Sequence, residues 1–156
     1  MQRTEHLFVY GTLRPGARHD LQATLRRHAR WLGPGQAAGR LYDLGRYPGL
    51  VPDARGATVH GDVYRLRHKR ALLAALDRYE ACGARMPQPR EYRREVMPVS
   101  FRHRRIWAWV YVYNRPVTGL RAVAGGDYLA WIRRAAGEAR SDGRRSQGAR
   151  RIVPVL

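Results

Sequence analysis

Cysteine is almost absent from this chain: Cys82 stands alone among 156 residues. One thiol excludes an intramolecular disulfide framework and a multi-cysteine zinc site, and it fits a reducing compartment. Lysine is equally scarce, with Lys69 alone among 30 basic residues, and only 12 residues are acidic, so the formal charge is +18. No apolar run approaches the roughly 18 residues of a membrane span, and the opening MQRTEHLFVYG lacks the long apolar core of a secretory signal. The expectation is a cytoplasmic protein with no membrane partner. Such a charge raises nucleic acid, anionic membrane and acidic substrates as partners. Because the excess is almost wholly arginine, a genome rich in arginine codons accounts for it without selection for phosphate, which argues against nucleic acid.

The residues that are present suit one folded domain. Hydrophobic residues make up 44% and charged residues 27%, too apolar for a disordered chain. HLFVY (6–10) predicts a buried strand stopped by Gly11, and Leu21, Thr24, Leu25 and His28 recur at helical spacing. Glycine and proline between Gly33 and Gly49 predict turns around a strand at 38–44, and residues 57–66 alternate as a further strand. Residues 68–79 form the clearest helix, with Leu72, Leu73 and Leu76 on one stripe and Arg70 and Asp77 outside it. Residues 84–91 read as a loop, 92–101 and 105–113 as strands joined by a basic turn, and 127–136 as a helix with Asp127 at its N-cap. Several strands with three helices and no regular βαβ alternation predict an α+β fold. The domain is expected over 1–136, followed by an arginine-rich tail over 137–156, expected to be mobile.

Three constellations carry candidate chemistry. In Tyr10-Gly11-Thr12-Leu13-Arg14 the glycine permits a sharp turn in which successive N–H groups converge on a small anion such as a carboxylate, although ordinary strand-to-helix turns look the same. Glu80 follows Leu76 by one helical turn, which aims its carboxylate among apolar groups. Burial and the negative end of the helix dipole raise a carboxyl pKa, as a general base requires; a solvated last-turn glutamate is the alternative. Trp107, Trp109, Tyr111 and Tyr113 share one face of a strand, as a pocket lining or as a layer of core. Gly33, Gly35 and Gly39 miss the dinucleotide-binding spacing, the six histidines form no zinc motif, and Cys82 has no paired histidine. Neither a metal nor a cofactor is expected.

Together these residues resemble the γ-glutamylcyclotransferase family, in the small bacterial and plant branch that includes γ-glutamylamine cyclotransferase. FVYGTLRPG, GRLYDLGRYPGLV (39–51), VHGDVYRL (59–66), LDRYEACG (76–83), YRREVMPV (92–99) and AWVYVYN (108–114) carry the resemblance, over roughly residues 7–135. It implies a mixed, β-barrel-like sheet with a few helices, and release of an amine from a γ-glutamyl amide by ring closure to 5-oxoproline. It also implies that Tyr10, Gly11, Thr12 and Leu13 hold the γ-glutamyl moiety, that Glu80 is the catalytic carboxylate, and that Tyr42 and Tyr113 line the pocket. Ala81 replaces a frequent glycine, residues 83–91 make a longer loop than usual, and the tail has no counterpart. The partner implied is a small-molecule γ-glutamyl amide, with monomer and homodimer both open. Two other readings remain: a non-catalytic γ-glutamyl-ligand binding protein and a basic nucleic-acid-associated domain.

Overall fold

The apolar run at the N-terminus forms β1 (His6–Val9), in which Leu7, Phe8 and Val9 are fully buried. The computed structural model describes residues 4–11, 13–15, 21–45, 47–79 and 91–141. After β1 come α1 (Leu21–His28), β2 (Ala29–Asp43), β3 (Pro48–Pro52), β4 (Thr58–Leu66) and α2 (Lys69–Tyr79). The chain continues with β5 (Tyr92–Phe101), β6 (Arg104–Tyr113), β7 (Arg121–Ala122), a 3-10 turn (Ala124–Gly126) and α3 (Tyr128–Ser141).

Five strands close into a barrel in the order β2-β4-β1-β6-β5, and β5 returns to β2 through the pairs Gln36↔Ser100 and Ala37↔Val99. The pairing is antiparallel except where β1 meets β6 at Leu7↔Trp109. β3 and β7 attach to the far half of β2. The architecture is the α+β single domain that the sequence predicted. The parallel pair has a consequence for function, because the chain leaves β1 and β6 at the same end of the barrel.

β2 corrects the sequence reading, since it begins at Ala29, not at 38, and runs straight through Gly33-Pro34-Gly35. These residues serve close packing. A Cβ on Gly35 would lie 2.8 Å from Val63 Cγ2 and 3.3 Å from Val99 Cγ1, so only glycine lets three strands meet inside the barrel there. Gly33 has φ +148° beside a register shift between Trp31 and Gly33, as a bulge requires. The expected turn around Pro48 is likewise strand β3.

α2 buries Leu72, Leu73 and Leu76 as predicted. Asp77, placed outside the stripe by periodicity, instead turns inward onto β6. α3 runs to Ser141, five residues past the expected end at 136. Ile132 to Ala139 are exposed, so helix propensity in this alanine-rich stretch, not packing, carries it onward. Asp127 is the N-cap expected, accepting the Ala130 N–H at 3.1 Å. The remainder of the anticipated tail, 142–156, lies outside the described residues.

Candidate active site

The turn after β1 is held from both ends. Tyr10, fully buried, donates its hydroxyl to the Tyr111 carbonyl at 2.6 Å and accepts the Leu50 N–H at 3.3 Å. The phenol therefore struts β1 against β6 and β3, and what this end of the turn offers a ligand is main chain. The Arg14 N–H donates to the Gly11 carbonyl at 3.1 Å and closes the turn. Gly11 and Leu13 are buried, and Thr12, which the resemblance places on the γ-glutamyl moiety, lies outside the described residues.

β3 brings the two more distant tyrosines to this corner. Gly49 pairs with Tyr42 of β2, and a Cβ on Gly49 would lie 2.9 Å from the Tyr113 Cβ and Cγ, so the missing side chain is the space that Tyr113 occupies. Leu50, next in the chain, is the residue bonded to the Tyr10 hydroxyl. Tyr10, Tyr42 and Tyr113 thus meet around two consecutive residues of β3. Tyr92 backs the wall, its ring 5.6 Å from that of Tyr113 at 66° and its hydroxyl bonded to the Pro48 carbonyl at 3.0 Å. Burial, reinforced by nearby Glu91 and opposed by Arg115, pushes the Tyr113 hydroxyl pKa up, so that group is neutral at physiological pH.

α2 ends over the same region. Asp77 accepts the Tyr111 hydroxyl at 2.6 Å and the Arg94 Nη1 at 2.9 and 3.0 Å. Burial first, and then the Asp77 carboxylate, raise the Tyr111 pKa and keep the hydroxyl a donor. The last turn of α2 is thereby fixed on β6, two residues before Tyr113. Glu80 is the first residue beyond that helix and lies outside the described residues. The aromatic row splits along β6: Trp107 is 44% exposed whereas Tyr111 is fully buried. Trp107 is thus a surface residue, Tyr111 is core, and only the Tyr113 end reaches the site.

Arg14 closes the turn from the other side. Its Nε donates to Asp62 Oδ2 and its Nη1 to Asp127 Oδ1, both at 2.9 Å. Asp62, 6% exposed, also accepts the Trp31 indole N–H at 3.0 Å. Beyond Arg14 opens a groove of about 620 Å³ with His60, Ser100, Arg102 and His103 on its walls, and none of Tyr10, Tyr42 or Tyr113 borders it. Among the described residues no group of three or more His, Cys, Asp and Glu side chains is placed to hold a metal ion, and no helix is long and apolar enough to cross a membrane.

Residues 7–130 match the family model described as Gamma-glutamyl cyclotransferase, AIG2-like. The Gamma-glutamylcyclotransferase family protein YtfP of Escherichia coli is 37% identical over 130 residues, covering 79% of this chain and 95% of that one. The solution structure of Escherichia coli YtfP superposes with a TM-score of 0.56 over 80% of this chain and 96% of its own. An AIG2-like protein of Mus musculus, 23% identical, shares the fold with a TM-score of 0.60 over 80% of this chain and 87% of its own. With this match over residues 7–130 and the shared barrel, the chain belongs to the AIG2-like γ-glutamylcyclotransferase family.

Proposed function

We propose that the protein releases an amine from a γ-glutamyl amide while closing the glutamyl part to 5-oxoproline. The observation that carries this reading is the hydrogen bond that the Leu50 N–H donates to Tyr10, the residue leading into the Gly11 turn, next to the Gly49 that pairs with Tyr42 and packs on Tyr113, in a chain of this family. Main-chain N–H groups of residues 11–13 receive the substrate α-carboxylate. The tyrosine wall holds the glutamyl chain bent, which places the α-amino nitrogen near the γ-carbonyl carbon.

At neutral pH that amine is protonated and carries no free lone pair. Glu80 takes one proton from the ammonium, the nitrogen bonds to the γ-carbonyl carbon, and the carboxyl passes that proton to the amide nitrogen as its C–N bond breaks, while the ring nitrogen sheds its second proton to become the lactam N–H and the released amine takes up that proton as an ammonium. Nucleophile and electrophile belong to one molecule, so fixing the bend supplies much of the acceleration. The test is incubation with a panel of γ-glutamyl amides and the matching α-glutamyl amides, scored for 5-oxoproline by mass spectrometry. Release from at least one γ-linked and no α-linked member is expected; no release from any member contradicts the reading.

A further inference from the structure

We infer that Arg14 is a positioning residue for the proposed reaction. Its guanidinium, clamped between Asp62 and Asp127, holds the 11–14 turn in the shape that receives the substrate carboxylate. The inference rests on the function proposed above and adds residues outside the Tyr10–Leu13 turn.

Asp62 belongs to β4 and pairs with Val9, the last residue of β1. The side chain closing the turn is therefore tied back to the strand from which the turn departs. Asp127 is the N-cap of α3, and its Oδ1 accepts both the Ala130 N–H and the Arg14 Nη1, so the same guanidinium docks α3 onto the turn. A third tie comes from α1, where Gln22 Nε2 donates to the Arg14 carbonyl at 3.0 Å. With the Tyr10 hydroxyl fixing the entry, the turn that Gly11 opens and Arg14 closes is anchored at both ends. Main-chain donors anchored before a ligand arrives lose little freedom on binding it.

The chemistry favours arginine at this position. A guanidinium remains charged at any physiological pH and offers donors in a rigid fork, so Nε and Nη1 serve two carboxylates at a fixed mutual angle. Asp62 cannot swing away, since its other oxygen holds the Trp31 indole. The Arg14 and Asp62 side chains are only 11% and 9% exposed, so solvent competes little for the pair. Arg14 lines a groove that none of Tyr10, Tyr42 or Tyr113 borders, so its effect on a substrate held at the tyrosines passes through the turn and not through contact.

The experiment is steady-state kinetics of the full chain and of Arg14→Gln, Arg14→Lys and Asp127→Asn on a γ-glutamyl amide that the parent converts, with folding checked by circular dichroism at the assay temperature. Loss of the fork in Arg14→Gln is expected to raise KM about tenfold or more with kcat within about threefold, the signature of weakened ground-state binding when chemistry is slower than substrate release. Arg14→Lys keeps the charge without the fork and should recover less than half of that loss on a logarithmic scale. Asp127→Asn removes charge from the more exposed end of the clamp and should raise KM by a smaller factor, which keeps the test intact if Arg14→Gln does not fold. Folded variants with KM within twofold of the parent overturn the inference while leaving the proposed function standing. Full rescue by lysine overturns the fork argument. A parent that releases no 5-oxoproline from any γ-glutamyl amide overturns both.

Discussion

The Tyr111 hydroxyl donates to Asp77 at 2.6 Å, joining the last turn of α2 to the closing residues of β6 across 34 residues of sequence. Arg94 holds the other side of the same carboxylate. Asp77→Ala leaves the buried phenol proton the Leu73 carbonyl at 3.5 Å as its acceptor and removes the carboxylate that pairs with Arg94. The expected cost is about 2 kcal/mol in urea unfolding, with the Asp77 side chain 28% exposed and part of the ion-pair energy already given up to solvent. Asp77→Asn retains an acceptor for the phenol and should lose about half as much.

The glycine turn makes a separate prediction. Gly11 is buried directly after Tyr10, where a side chain would occupy the approach of a ligand to the main chain. Gly11→Val should weaken binding of 5-oxoproline or of a γ-glutamyl amide at least tenfold in an NMR or calorimetric titration. Binding as tight as the parent's would place the carboxylate elsewhere.

Asp127 gives the clamp a pH dependence. Burial acts to raise its pKa, but the Ala130 N–H and the Arg14 guanidinium, with His60 nearby, outweigh burial and hold the carboxyl below its ordinary range. A carboxyl whose pKa is lower in the folded than in the unfolded protein binds fewer protons when folded. Its stabilisation is fully present above the ordinary carboxylate pKa of about 4 and is lost as pH falls through the folded value. Thermal melts should therefore show the parent more stable than Asp127→Asn at pH 6, with the gap narrowing steadily from pH 5 to pH 3. A gap independent of pH would contradict the ionised cap.

Much of this arrangement was legible in the sequence because it depends on neighbours along the chain. The buried β1, the leucine stripe of α2, the paired strands β5 and β6 and the Asp127 cap all follow from local period and capping chemistry. The first half of β2 was not legible. Gly33, Pro34 and Gly35 carry the composition of a turn, and only the approach of Val63 and Val99 shows why a strand needs glycine at 35. Asp77 was misplaced for a similar reason: helical period puts it beside the apolar stripe, and the hydroxyl that draws it inward lies on another strand. The role of Arg14 was beyond reach, since its two carboxylates stand 48 and 113 residues away. Of the candidate site, the tyrosine corner could be named from the resemblance but not assembled, because the gap left by Gly49 is what joins it.

Glu80, four residues after Leu76 in the sequence, is proposed to carry the proton transfers of ring closure. The most direct test compares the parent and Glu80→Gln side by side, measuring 5-oxoproline release under saturating γ-glutamyl amide and substrate binding by titration. Glutamine keeps the shape and removes the base, so turnover should fall about a hundredfold or more while binding stays within a few-fold of the parent. Turnover in Glu80→Gln within tenfold of the parent would contradict the assignment.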